Sequence, residues 1–356
     1  MMKILLIILL IGITVNTNAQ YPRVQIPGSE VRKITSARVA GQEYELHILL
    51  PANYKNSNKK YPVVYLMDSQ WDFPLLKSIY GQQFFDGFIP ELIIVGVTWG
   101  GANPNPDSLR ARDYTPTNEG RLVQSGNADK FLSFMRDELF PFIENDYKAD
   151  NTNRTLVGCS LGGLFTLYAL FTQPDMFAGY VAASPAVGWD KEVMYQYEKK
   201  YASNKKLPAA RLFMTVGDVE RSAPAFQRFA SQLTQRGNPS LKIKQVVLEN
   251  TGHSGTKSET YARGLQYIFE KPKLTIASAI LDKYIGKYQS GNGDQVELKN
   301  EDGHLALYFS ADQKYPLYAA TESVFYSTAE FLNIHMQQNV LRIERYGSTG
   351  LYTKME

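Results

Sequence analysis

A serine near the middle of the chain lies between two glycines, in a pattern that can support covalent chemistry. Gly158, Ser160 and Gly162 form a G-x-S-x-G pattern that follows an apolar, β-branched run and precedes a segment with helical spacing. Such a strand-to-helix turn exposes the serine at its apex, in a strained backbone that leaves no room for side chains two residues away. The pattern alone also fits a glycine-rich turn with a structural serine. Its place at a strand–helix junction favours a nucleophile.

A serine hydroxyl is a weak nucleophile at neutral pH and needs a general base beside it, most often histidine. The chain has four histidines, which are His47, His253, His304 and His335. Only His253 comes after the serine and just past a strand of the predicted parallel sheet. The other three fall in an N-terminal hairpin or in the C-terminal β region, where a structural or surface role is expected. His253 is therefore the predicted base.

A carboxylate that orients the histidine should follow the strand before it. Asp218 and Glu220 lie one and three residues after Gly217, at the end of such a strand. The chain order of Ser160, acid and His253 is the order found in α/β-hydrolases. Glu220 is favoured because an acid three residues past the glycine clears the turn and reaches the imidazole. Asp218 is the alternative, and the unused acid is expected to serve the turn or the next helix as a cap.

Acyl transfer also needs two backbone N–H donors for the oxyanion of the tetrahedral intermediate. The first is expected from Leu161, the residue after the nucleophile, at a helix N-terminus. The second should come from the loop after the strand at 61–67, which reads Asp68-Ser69-Gln70. The Gln70 amide is favoured and the Ser69 amide is second. A plain strand–helix turn capped by Asp68 is the alternative.

Four aromatic residues are expected near the same edge. Trp71, Trp99, Tyr114 and Trp189 could line a substrate pocket for a catechol or phenolic acyl group, and ordinary packing of the loops is the alternative. The proposed chemistry needs no metal ion and no organic cofactor. The predicted partner is a small-molecule or glycan-linked ester.

The remaining elements predict an α/β fold. Strands alternate with helices from about residue 61 to 270, which indicates a mainly parallel central sheet covered on both faces, and an antiparallel hairpin at 30–50 precedes it. Functional groups in such sheets collect at the carboxyl ends of the strands. The segment 100–119 has no periodicity and is predicted as a loop, whereas 128–147 is predicted as a helix. Short alternating runs over 283–356 predict a small all-β domain, either a meander or a barrel.

The composition and the N-terminal residues limit the expected partners and location of the protein. The chain has 356 residues, a net charge of +3 and one cysteine, Cys159, so neither a nucleic-acid partner nor an internal disulfide is expected. Lys3, the apolar run 4–13 and Thr17-Asn18-Ala19 predict a signal peptide cleaved after residue 19. An uncleaved anchor is the alternative, but ten apolar residues are too few to span a bilayer. We expect a periplasmic or secreted protein without stable membrane insertion.

Several of these motifs together resemble the putative esterase family of the α/β-hydrolase superfamily, over roughly residues 30–270. The residues that carry the likeness are Val63-Val64-Tyr65-Leu66-Met67-Asp68, Arg112-Asp113-Tyr114-Thr115-Pro116, Gly158-Cys159-Ser160-Leu161-Gly162-Gly163, Ala183-Ser184-Pro185, Val216-Gly217-Asp218-Val219-Glu220 and Gly252-His253. The resemblance implies the Ser160–His253 pair and Glu220 as the acid. The family includes enterochelin-type siderophore esterases and feruloyl esterases, and the sequence most resembles the siderophore-esterase branch. The chain departs from the family at Ser69, where the family has glycine.

The sequence therefore predicts a signal peptide (1–19), an α/β-hydrolase catalytic domain (20–272) and a small all-β domain (273–356). The predicted function is an exported serine esterase that works through an acyl-enzyme. Siderophore lactones, aromatic or acetyl esters on carbohydrate and small acyl esters all remain as substrates. The alternative is a non-catalytic protein on a hydrolase scaffold that binds a glycan or a partner chain. The sequence carries no indication of oligomeric state.

Overall fold

The described part of the chain forms two β-sheets, the first with a buried apolar cluster on each face and the second with one cluster of its own. The structure is a computed structural model that describes residues 25–120, 122, 124–204 and 206–356. The predicted signal peptide, residues 1–19, lies outside this part of the chain. None of the helices in these ranges has both the length and the apolar character needed to cross a bilayer.

The first sheet has eight strands in the order β1-β2-β4-β3-β5-β6-β7-β8. The strands are β1 (Ser29–Thr35), β2 (Glu43–Leu49), β3 (Tyr61–Leu66), β4 (Ile93–Trp99), β5 (Ala149–Cys159), β6 (Gly179–Ala183), β7 (Ala210–Gly217) and β8 (Leu241–Leu248). The hairpin β1–β2 is antiparallel and joins β4 antiparallel, whereas every other neighbouring pair is parallel. The sheet is therefore mixed, with a parallel part that begins at β4.

Helices cover both faces of this sheet, because its central strands carry apolar side chains on both sides. The helices are α1 (Ser69–Phe85), α2 (Pro106–Tyr114), α3 (Ala128–Phe134), α4 (Phe140–Asp146), α5 (Leu161–Thr172), α6 (Trp189–Glu192), α7 (Met194–Ala202), α8 (Ala223–Arg236), α9 (Thr256–Ile268) and α10 (Ser278–Leu281). Short 3₁₀ turns lie at Tyr54–Asn56 and Asp282–Tyr284. Helices α1 and α9 pack on one face, and α2 to α5 pack on the other.

Two predicted elements differ from the structure. The segment 100–119, predicted as a loop, contains α2, which Asn105 caps by accepting a hydrogen bond from the Ser108 N–H at 3.2 Å. The predicted helix 128–147 is interrupted by a π-helical turn, Met135–Leu139, between α3 and α4. The prediction missed α2 because its polar residues are satisfied by distant partners instead of lying on a solvated face.

The second sheet is antiparallel throughout and has nine strands in the order β12-β11-β10-β9-β17-β16-β15-β14-β13. The strands are β9 (Gly286–Ser290), β10 (Gln295–Glu301), β11 (His304–Ser310), β12 (Gln313–Pro316), β13 (Tyr318–Ala319), β14 (Val324–Ser327), β15 (Leu332–Gln337), β16 (Val340–Arg345) and β17 (Ser348–Lys354). Two meanders thus meet where β9 pairs with β17. This sheet contacts the end of α1, where the Phe331 N–H donates to the Phe85 carbonyl at 2.9 Å.

Candidate active site

Ser160 occupies a sharp turn between β5 and α5. Its backbone has φ +58° and ψ −115°, a region that non-glycine residues rarely adopt. The turn is tight, because a Cβ on Gly158 would overlap the Gly162 carbonyl. The Ser160 N–H donates to the Ala183 carbonyl of β6 at 2.9 Å, which fixes the turn to the next strand. A strained serine at the carboxyl edge of the sheet is therefore held by the surrounding backbone.

Glu220 and His253 form a hydrogen-bonded pair at the same edge. The His253 Nδ1 lies 2.7 Å from the Glu220 Oε2. The other carboxylate oxygen accepts from the Ser184 hydroxyl at 2.5 Å and from the Gly217 N–H at 2.7 Å. Burial disfavours the charged carboxylate, but the hydrogen bonds from Ser184, Gly217 and His253 outweigh it and lower the pKa of Glu220. The carboxylate is therefore ionised and fixed where it can orient the imidazole.

The structure brings the serine and the imidazole to one edge without joining them. No hydrogen bond connects Ser160 and His253 in the part of the chain described. They are linked through β6, since Ser160 is bonded to Ala183 and the next residue, Ser184, is bonded to Glu220. The His253 side chain is 49% exposed, and its Nδ1 faces the carboxylate. Catalytic hydrogen bonds are often long in free enzymes and tighten with substrate.

Asp218, the alternative acid, contacts the histidine loop instead of the histidine. Its carboxylate accepts from the Thr251 N–H at 3.2 Å, and its own N–H donates to the Leu248 carbonyl at 3.0 Å. A Cβ on Gly217 would overlap the Thr251 carbonyl, so the two loops are packed backbone to backbone. Asp218 thus fixes the path of the chain that leads to His253.

Two helix N-termini meet beside the serine. Helix α5 begins at Leu161 and helix α1 begins with Ser69 and Gln70. The first N–H groups of a helix have no acceptor within it and lie at the positive end of its dipole. A Cβ on Gly162 would be 3.3 Å from the Asp68 Oδ2, so the two helix starts lie close together. The predicted donors, Leu161, Gln70 and Ser69, therefore lie at neighbouring helix starts.

Asp68 is buried next to this point and is held by α2. Its two carboxylate oxygens accept from the Arg110 Nε at 2.8 Å and Nη2 at 2.9 Å. Its N–H donates to the Tyr114 hydroxyl at 3.2 Å, and its backbone is left-handed, with φ +57°. The carboxylate makes no cap hydrogen bond to α1. The cap that formed the alternative interpretation of this loop is thus absent, and a bidentate ion pair holds the start of α1 instead.

The four aromatic residues predicted for the substrate pocket divide into two pairs. Trp71 is 49% exposed, and Trp189 is partly buried against the core. Trp99 and Tyr114 are buried in the core, and the Trp99 indole N–H donates to Asp113 at 2.7 Å. Packing, the alternative reading, is therefore favoured for Trp99 and Tyr114.

Sequence reasoning missed three residues that hold the site together, Arg110, Ser184 and Thr256. The Ser184 hydroxyl lies 2.9 Å from that of Thr256, which donates to the His253 carbonyl at 2.9 Å. Ser184 could have been found, because it ends the strand between those of Ser160 and Glu220. Arg110 and Thr256 carry no comparable local signal.

Cys159, immediately before the serine, is buried at 3% exposure. Burial raises the pKa of its thiol to about 12. Across the described ranges, no three His, Cys, Asp or Glu side chains are grouped so that they could hold a metal ion.

A strained serine, an imidazole on a buried carboxylate and paired helix starts are typical of hydrolases that act on esters. The family model described as "Putative esterase" matches residues 36–292. The chain therefore belongs to this family and is a carboxylic-ester hydrolase. Residues 293–356 lie beyond the match.

Similar proteins agree with this assignment. The chain is 32% identical over 211 residues to the ferri-bacillibactin esterase BesA of Bacillus subtilis (strain 168), covering 55% of this chain and 72% of BesA. Among solved structures, the BES protein from Bacillus cereus superposes with a TM-score of 0.63 at 27% identity, covering 71% of this chain and 99% of that one. An IroE-like serine hydrolase from Shewanella oneidensis has a TM-score of 0.61 at 25% identity, covering 72% and 85%.

Proposed function

We propose that the protein is a serine esterase whose triad is Ser160, His253 and Glu220. The observation that carries this proposal is the 2.7 Å hydrogen bond from His253 to a buried, ionised Glu220 at the sheet edge that also holds the strained Ser160. Since Nδ1 faces the carboxylate, Nε2 is the nitrogen that can accept the serine proton. The likeness to an IroE-like serine hydrolase supports the same assignment.

The reaction follows from this geometry. The Ser160 Oγ attacks the ester carbonyl carbon while His253 Nε2 takes the hydroxyl proton. The N–H groups of Leu161 and of Gln70, with Ser69 as the second choice, stabilise the oxyanion. The protonated imidazole gives its proton to the leaving alkoxide, and the acyl group stays on Ser160. Water then attacks the acyl-enzyme with the same base and releases the acid.

We propose an ester of a ferric siderophore as the substrate, because the relative BesA is named for that activity. Trp71 is exposed beside the start of α1, and the Arg110 guanidinium lies 5.4 Å from its ring centroid. An exposed aromatic ring suits a flat catecholate group, which can stack on it. Trp189 is the second aromatic residue of the proposed pocket.

A fluorophosphonate probe tests the triad, because it reacts only with an activated serine. We expect covalent labelling of the wild type and none in Ser160→Ala. Failure of the folded wild type to label would contradict the proposal and favour the non-catalytic alternative. A panel of siderophore, feruloyl, acetyl and small acyl esters, ranked by kcat/KM, tests the substrate. The proposal for the substrate is lost if the siderophore ester ranks below simple acyl esters.

We further propose an α/β-hydrolase fold over residues 20–272 and a separate β domain over 273–356. The strand order, with the serine after β5, supports the first part. Limited proteolysis should release two stable fragments, and cleavage elsewhere would contradict the boundary. We also propose export after removal of residues 1–19. N-terminal sequencing of the protein from the native host should begin at Gln20, and retention of the leader would contradict this.

A further inference from the structure

A second set of polar residues lies on the other side of the loop that carries the proposed oxyanion donors. Ser69, the first residue of α1, is 1% exposed, so its hydroxyl is unavailable to a substrate. Its Oγ lies 2.8 Å from the His47 Nδ1. The other ring nitrogen of His47 lies 3.1 Å from the Glu45 Oε1. Serine, imidazole and carboxylate thus form a connected row beneath the start of the helix.

The sheet leaves a space that fits the Ser69 side chain. His47 in β2 and Gly96 in β4 are directly opposite each other in the antiparallel register. A Cβ on Gly96 would overlap the Ser69 Oγ and would lie 2.8 Å from the Ser69 Cβ. Because position 96 is glycine, the serine packs onto the sheet and reaches the histidine across it. The backbone of Ser69 is therefore fixed by its own side chain.

The loop from Asp68 to Gln70 is consequently held from two sides. On one side the Arg110 guanidinium and the Tyr114 hydroxyl hold Asp68. On the other side His47 holds Ser69. The N–H groups of Ser69 and Gln70 lie between these two attachments, at the start of a helix. An oxyanion donor contributes only if it is fixed before the reaction, because reorienting it costs part of the stabilisation.

We propose that His47 is a positioning residue that acts through Ser69, fixing the backbone N–H groups of Ser69 and Gln70 for the oxyanion. This inference rests on the proposed serine-esterase function. Ser69 thereby gains a role in the turn. Its side chain takes over the task of ordering the turn, and the histidine supplies the hydrogen bond. Glu45 holds the far side of the ring from a more exposed position.

Steady-state hydrolysis of p-nitrophenyl acetate by the full chain tests this proposal. His47→Leu and Ser69→Ala each remove the hydrogen bond, and we expect each to lower kcat about tenfold with KM within about twofold. The double variant should lose no more than the worse single variant, because both remove the same interaction. His47→Asn, whose amide can replace Nδ1, should recover most of the loss. Such a split of kcat from KM, with rescue, is not expected from simple destabilisation.

His335→Leu is the matched control, since it removes a strand histidine from the second sheet, and it should retain the wild-type kcat. All assays are run well below the melting temperature of each variant. A wild-type kcat in His47→Leu and Ser69→Ala would overturn the inference about His47 and leave the proposed function intact. Losses that multiply in the double variant would have the same meaning. An inactive wild type whose Ser160 is not labelled by a fluorophosphonate would instead overturn the proposed function and the inference together.

Discussion

Two serine–histidine–glutamate sets lie at the same sheet, and they differ in how the histidine is hydrogen-bonded. His253 bonds its carboxylate through Nδ1, so that Nε2 points away from Glu220, whereas His47 has one ring nitrogen on Ser69 and the other on Glu45. Residue types alone do not separate the two sets. The orientation of the imidazole separates them, because a general base needs a ring nitrogen that is not already engaged in a hydrogen bond.

The two serines differ as strongly as the histidines. Ser160 sits at φ +58° at the apex of a turn, while Ser69 is buried in the first turn of a helix. Both are next to a helix N-terminus, yet Ser160 is partly exposed whereas Ser69 is buried. The difference supports the two proposals made above, that Ser160 reacts and that Ser69 holds the backbone in place.

The largest expected effect comes from exchanging each serine for alanine. Ser160→Ala should lower kcat about 10⁴-fold or more, because no other group can form the acyl-enzyme. Ser69→Ala should lower it only about tenfold. Rates of p-nitrophenyl acetate hydrolysis measure both. Equal losses in the two variants would remove the distinction between a reacting and a holding serine.

The two glutamates should differ next. Glu220→Gln should lower kcat about 10³-fold, since the imidazole loses the charge that orients it and stabilises its protonated form. Glu45→Gln should change kcat less than about threefold, because the Glu45 side chain is 32% exposed and its contact to His47 is longer. The same assay applies, with circular dichroism to confirm folding. A large loss of kcat in Glu45→Gln would contradict the expected difference between the two glutamates.

Gly96 allows a further test of the set formed by Ser69, His47 and Glu45. Gly96→Ala should push Ser69 away from His47 and lower kcat about tenfold, because the added Cβ overlaps the serine side chain. Adding Ser69→Gly should cause no further loss, since the second change removes the atoms that clash. Losses that multiply in the Gly96→Ala/Ser69→Gly protein would mean that position 96 acts independently of Ser69.

The smallest effect is on stability at acid pH. The folded pKa of Glu220 lies below its ordinary value of 4.5, so its stabilisation is present above that value and is lost as pH falls through the folded pKa. Between about pH 5 and pH 3 the wild type should lose about 1–3 °C more in Tm than Glu220→Gln. Parallel Tm curves for the two proteins, measured by calorimetry, would contradict a lowered pKa.

The sequence predicted what local patterns control. Short sequence patterns indicate the turn at Ser160, the strand ends before Glu220 and His253, and the alternation of strands and helices. No such pattern indicates helix α2, because the side chains of Arg110 and its neighbours form hydrogen bonds with groups far away in the chain. His47 was assigned a structural or surface role for the same reason. Its contact to Ser69 depends on the register of β2 with β4, which places Gly96 opposite His47 and which a single sequence does not display.

The burial of Cys159 has a practical consequence. With a pKa of about 12, this thiol stays protonated at neutral pH and does not compete as a nucleophile for maleimides. Since the chain contains no other cysteine, any pair introduced on the surface could carry spin labels without first engineering the native protein. One label on the turn before α9 and one on the exposed side of α1 would then report whether the loop that carries His253 moves when substrate binds.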